Sequence, residues 1–166
     1  MPGNKRKRKT YQPKGINRSA IVDAFAARLP MATDKQQDVS LVAHQSLTAL
    51  TQGRGTEMDV ECLAVSMNLS MLLTELGVGR EYQAVAITGQ EAVMRCKARA
   101  ERTGKYGLDG PAISEIEQAI ELHDQQVEIA TQAQMSAAVR EMNRRKQNPD
   151  YVMRAEEEKS QVCRPQ

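Results

Sequence analysis

The chain has 166 residues, 40% of them apolar, with nine Met, one Phe (Phe25) and no Trp; that is enough for one domain, too short for two of ordinary size, and poorly suited to a β-sandwich core. Its net charge of +2 hides an asymmetry: residues 1–18 hold seven cations and no acid, leaving 16 cations against 21 acids, a net −5, in the remainder. Cys62, Cys96 and Cys163 are odd in number and widely spaced, which argues against a disulfide framework or zinc site and for a reducing, cytoplasmic compartment, while no apolar run approaches the roughly 18 residues of a membrane span.

Residues 1–17 combine the run Lys5-Arg6-Lys7-Arg8-Lys9 with Lys14, two prolines and two glycines. Such a composition cannot bury enough apolar surface to order itself and reads as a flexible arm. A first helix is expected from Ser19 to Leu29, capped by Asn17 or Ser19, with Ile21, Val22, Phe25 and Leu29 on its apolar face and Pro30 as its stop. Thr33 followed by Gln36 has the spacing of a capping box and is expected to open a second helix running to Gly53.

Thr56 is the expected cap of a third helix, with Glu57 and Asp59 in its first turn complementing the helix dipole. From Val60 to Leu76 this element is apolar nearly all round, which predicts a place at the centre of the bundle. A fourth helix is expected from about Arg80 to Arg102; Gly89 in its middle implies either a close neighbour or a bend. The segment Thr103 to Gly110, with its three glycines, reads as a mobile connector.

Residues 111–147 contain no internal Gly or Pro and read as one long helix that starts on Pro111 and stops before Pro149. At about 1.5 Å per residue it would run roughly 55 Å. A compact domain of this size should be no more than about 40 Å across. Either the helix breaks or one end overhangs, and the small-residue half with Met135, Val139 and Met142 is the expected overhanging contact surface. Residues 148–166 are expected to make a brief helical turn around Tyr151 to Glu158 and then fray.

Candidate sites follow from charge more than from motifs. The cations Lys5, Arg6, Lys7, Arg8, Lys9 and Lys14, joined by Arg144, Arg145 and Lys146, suit nucleic-acid phosphates and would bind without reading sequence. The last three also have a structural explanation as cations at a helix C-terminus. Gly53-Arg54-Gly55-Thr56 lacks the phosphate-loop spacing and reads as a tight turn. Glu117, Glu121, Asp124 and Glu128 form an acidic stripe beside His123, but the E-x-x-H spacing of di-iron bundles is absent because Ile120 stands three residues before it. No nucleophile set, metal site or cofactor fingerprint stands out, so no catalytic residue, metal or cofactor is assigned.

The Lys/Arg arm ending in Tyr11-Gln12-Pro13-Lys14, the stretch Thr48-Ala49-Leu50-Thr51-Gln52-Gly53-Arg54-Gly55-Thr56-Glu57, Asn68 before Leu72, and Leu122-His123-Asp124-Gln125-Gln126 together resemble short uncharacterised helical proteins of proteobacterial prophages and mobile elements. The resemblance implies a cytoplasmic accessory protein whose partner is nucleic acid or a host or phage protein. It carries no catalytic or ligand residues with it. The expected architecture is all-α: an antiparallel bundle of four to five helices (18–147) with one long C-terminal helix, a disordered basic arm (1–17) and a C-terminal tail (148–166). Two functions compete. The first is non-specific nucleic-acid binding through the arm. The second is a protein-interaction module that self-assembles through the long helix or inhibits a host factor such as a defence complex.

Overall fold

The computed structural model of the chain describes residues 23, 24 and 26–147. The basic arm, residues 19–22 and 25 of the expected first helix, and the C-terminal tail with Cys163 lie outside the described residues. Within them the structure is all-helical: α1 (Thr33–Thr51), α2 (Glu57–Glu75), a 3-10 turn (Arg80–Tyr82), α3 (Gln83–Thr103), α4 (Gly110–Ile129) and α5 (Gln132–Lys146). No helix among the described residues is long and apolar enough to cross a membrane.

The centre is α2, as its sequence requires. Val60, Leu63, Met67, Leu69, Leu72 and Leu73 are all buried, and α2 packs against α1, α3, α4 and α5. Thr56 is its cap, as expected, and Asp59 completes a capping box: the Thr56 hydroxyl accepts from the Asp59 N–H, and the Asp59 carboxylate accepts from the Thr56 N–H at 2.8 Å. Two hydrophobic cores lie along it. One gathers Leu50, Leu63, Met67, Val93, Ile116 and Ile120; the other gathers Leu69, Leu72, Leu73, Val127, Met135 and Ala138.

Gly89 resolves the choice left open for α3. A Cβ there would stand 2.5 Å from the Ala119 Cβ and 2.7 Å from the Met67 Sδ, so α3 crosses α2 and α4 too closely for any side chain. The connector after α3 is anchored, contrary to its loop-like composition. The Cys96 thiol and the Arg99 guanidinium both donate to the Gly107 carbonyl, at 3.3 and 3.4 Å. Asp109 pairs with Arg99 and caps α4 by accepting from the Ala112 N–H at 2.9 Å. That backbone bond, with the guanidinium, holds the Asp109 carboxyl below the usual range.

Two expectations about helix ends are corrected. Thr33 does not make a capping box: Ala32 precedes α1 with no side-chain cap. Gln36 instead donates to the Val127 and Glu128 carbonyls, at 3.4 and 3.2 Å, at the far end of α4. The single long helix is in fact two. Ala130 (ψ 136°) and Thr131 (ψ 156°) are extended. Thr131 and Gln134 form the capping box that Thr33 and Gln36 do not.

The break returns α5 to the body. Met135 and Ala138 enter the second core, with Met142 packed against it, and the overhang expected from length does not arise. Arg145 fastens the end of α5, donating to Glu75 of α2 at 3.1 Å and to Glu141 at 2.7 Å.

Because the Gly89 contact is set by crowding, Gly89→Ala should destabilise the protein by about 1–3 kcal/mol despite the gain in helix propensity. Adding Ala119→Gly should recover part of that loss. Urea unfolding of the two single variants and the double variant measures the coupling; an additive result would show that the two positions do not interact.

Candidate functional site

Polar groups in the interior of a helical bundle must find partners or bear a desolvation cost. Gln126 meets this requirement fully. Its amide donates to the Ser70 carbonyl at 3.1 Å and the Val78 carbonyl at 2.9 Å, and its oxygen accepts from the Ser70 hydroxyl at 2.6 Å. It thereby ties α4 to α2 and to the turn after α2. Within Leu122-His123-Asp124-Gln125-Gln126, nothing in the local sequence marks Gln126 as this tie.

One turn earlier the opposite situation holds. His123 is fully buried, and neither ring nitrogen has a hydrogen-bond partner; Asp124 Oδ1 is buried and unpartnered as well. The other carboxylate oxygen, Asp124 Oδ2, lies 2.8 Å from Nε2 of His44 on α1. Burial pushes the His123 imidazole down to about 4, with the Asp124 charge opposing and His44 adding to the shift. The ring is therefore neutral at neutral pH.

A His–Asp pair beside a neutral imidazole has the side chains of a general base, but not the arrangement. The Thr48 hydroxyl, one turn along α1, donates to the His44 carbonyl at 2.8 Å and is not aligned on the imidazole. Among the described residues no group of three His, Cys, Asp or Glu side chains could hold a metal ion. Glu117, Glu121 and Glu128 of the predicted stripe are exposed. Cys96 is buried, and desolvation raises its thiol above the ordinary value, against the hydrogen bond to Gly107; Cys62 is partly buried.

The basic cluster at the end of α5 is largely engaged. Arg144 donates to Glu141 through Nε at 2.7 Å and Nη2 at 2.6 Å, and Arg145 bridges Glu141 and Glu75. The paired guanidinium groups hold the Glu141 carboxyl down at about 2. Lys146 is exposed. Of the three residues singled out as a contact surface, Met135 is buried at 7% exposure, Met142 is half-buried on the second core, and Val139 is 38% exposed. The structure does not bring them together on an outward face. Lys5, Arg6, Lys7, Arg8, Lys9 and Lys14 lie outside the described residues.

The chain matches no protein-family model, no characterised protein and no solved structure.

The buried imidazole has a definite pH signature. A histidine whose folded pKa is about 4 against an ordinary 6.5 binds its proton more readily when unfolded. Stability is then at its full value above pH 6.5 and falls as pH drops towards 4, by roughly 3 kcal/mol in all. Glu141 acts in a lower window, its contribution lost as pH falls from 4.5 towards 2. His123→Leu removes two unpartnered polar atoms from the interior, so it should raise stability at pH 5 and flatten the dependence between pH 4 and 6.5. Urea midpoints across that range check both effects. An unchanged slope would show that His123 is not the titrating group.

Proposed function

We propose that the protein is a non-enzymatic accessory protein of a phage or mobile element whose basic arm binds nucleic acid through the phosphate backbone. The observation that carries this reading is the charge division: seven cations and no acid in residues 1–18, against a net −5 in the remainder. A polycation of this density releases condensed counterions when it meets a nucleic acid, which yields affinity without base readout. The acidic body would by itself be repelled by phosphate, so the polarity of the chain also orients the encounter.

The helical body refines the earlier assignment. Arg144 and Arg145 spend their hydrogen bonds on Glu141 and Glu75, so recruiting them to phosphate would require those pairs to open. Binding is therefore assigned chiefly to Lys5, Arg6, Lys7, Arg8, Lys9 and Lys14, with Lys146 as an exposed addition. The body serves as the anchor from which the arm extends, and the resemblance to prophage-encoded proteins fits a small architectural or protective role on nucleic acid.

Deleting residues 1–14 removes six cations. With about six phosphate contacts, affinity for duplex DNA should fall roughly a thousandfold between 50 and 200 mM salt. The deletion should abolish most of the binding and the salt slope together, as read by fluorescence anisotropy on a labelled duplex of arbitrary sequence. Arg145→Gln, in contrast, should lower thermal stability and leave affinity within about twofold. Binding that survives both the deletion and high salt would sink the reading.

A further inference from the structure

The bend between α4 and α5 is built without any residue that forbids a helix. No Gly or Pro lies between Pro111 and Asn148, and Ala130 and Thr131, at φ −65° and −71°, depart from helical geometry only in ψ. What keeps the bend is a set of substitute hydrogen bonds. In a continuous helix the N–H groups of residues 131–134 would donate to the carbonyls of residues 127–130. Here the Thr131 N–H donates to Gln134 Oε1 at 3.0 Å and the Gln134 N–H to Thr131 Oγ1 at 3.2 Å. The Gln132 and Ala133 N–H groups donate to the Leu29 and Ala27 carbonyls, both at 2.9 Å. On the acceptor side, Gln36 occupies the Val127 and Glu128 carbonyls.

Every donor that straightening would need is thus already satisfied: the four N–H groups would exchange one acceptor for another, and the Gln36 amide would give up its two carbonyls. The rest of the difference between bent and straight forms lies in what α5 covers. Met135, Ala138 and Met142 close the second core over Leu69, Leu72 and Leu73 of α2, and Arg145 pairs with Glu75. A chain that merely straightened would lose all of this. Two chains that straighten together would recover it by laying each α5 on the other's α2, since an exchanged element makes the same contacts it made at home.

We infer that α4 and α5 form a hinge, held bent by the Thr131–Gln134 capping box and the carbonyls of residues 27 and 29, and that its opening allows α5 to be exchanged between two copies of this chain. The partner is a second copy, and the surface is the α2 face that α5 now covers. The opened hinge makes residues 110–146 one helix of roughly 55 Å at 1.5 Å per residue. The exchange does not depend on what the arm binds.

The test uses the full chain. Thr131→Ala with Gln134→Ala removes the capping box and leaves both residues good or neutral helix formers; the variant should dimerise about tenfold or more tightly than the parent by analytical ultracentrifugation. In a dimer mixed from differently isotope-labelled chains, intermolecular NOEs should connect the Met135 methyl of one copy to Leu69, Leu72 or Leu73 of the other. Adding Gln132→Pro should return the monomer: proline gives up the Gln132 N–H bond to the Leu29 carbonyl, but it suits the first position of α5 and denies residue 131 the helical backbone that the straight form needs. A variant that stays monomeric at millimolar concentration, or a dimer lacking those intermolecular contacts, overturns the inference. So does a dimer that persists with Gln132→Pro; should that variant fail to fold, the NOEs of the first variant decide alone.

Discussion

The architecture depends on one constraint: α2 is apolar over most of its circumference and leaves only the side of Met58, Glu61 and Val65 open to water. Val60, Leu63 and Met67 point to one core and Leu69, Leu72 and Leu73 to the other, so the rest of the described chain has to surround it. Four helices do so, and the closeness they reach is set by small residues at the crossings. Gly89 against Ala119 and Met67 is such a crossing. A chain with one Phe and no Trp has few bulky side chains to fill gaps, and close backbone approach takes their place at Gly89.

The same constraint explains why the chain bends at Ala130. The first core is closed by the first half of α4. Around the far end of α2, Leu69, Leu72 and Leu73 still need a cover, and residues 110–129 cannot reach past their own length to provide it. Turning the chain back brings Met135 and Ala138 onto that end, at the cost of breaking the helical ladder. The broken ladder is then repaired locally by Thr131, Gln134, Gln36 and two carbonyls of residues 27 and 29. Tertiary burial overrides helix propensity here, as it commonly does when propensities are weak priors.

Much of this was legible in the sequence, and the misses are instructive because identical patterns had different fates. Thr56 with Asp59 was read as a helix start and is one. Thr33 with Gln36 and Thr131 with Gln134 share the spacing Thr-x-x-Gln, yet only the second pair forms a capping box. The deciding factor is remote: Gln36 is drawn to carbonyls 91 and 92 residues away, a demand no local window can show. The central place of α2 was legible because its apolar residues run around the whole helix. The anchoring of the segment after α3 was not, since glycine-rich composition signals a loop without saying whether Arg99, Cys96 and Asp109 will hold it. Among candidate site residues, charge alone points to Lys5 to Lys9 and Lys14, which lie outside the described residues, whereas Arg144 and Arg145 are engaged by Glu141 at ordinary helical spacing and by Glu75, which only the fold brings near.

The two polar groups on adjacent turns of α4 show how the bundle divides stability from susceptibility. Gln126 has every hydrogen-bonding atom used and locks α4 to α2. His123 has none used, while its neighbour Asp124 turns one oxygen to His44 and keeps the other buried. Replacing a buried and satisfied polar group with an apolar one costs its partners, whereas replacing an unsatisfied one relieves a penalty. Along the seam between α1 and α4, the His44–Asp124 pair and the two Gln36 bonds join the apolar packing of Ala43 and Leu50 against Ile116 and Ala119. Those Gln36 bonds end on the carbonyls that a straightened α4 would reclaim. The Gln36 bonds and the bend thus meet at the same end of α4, so loosening α1 there would free the acceptors that a continuous helix needs.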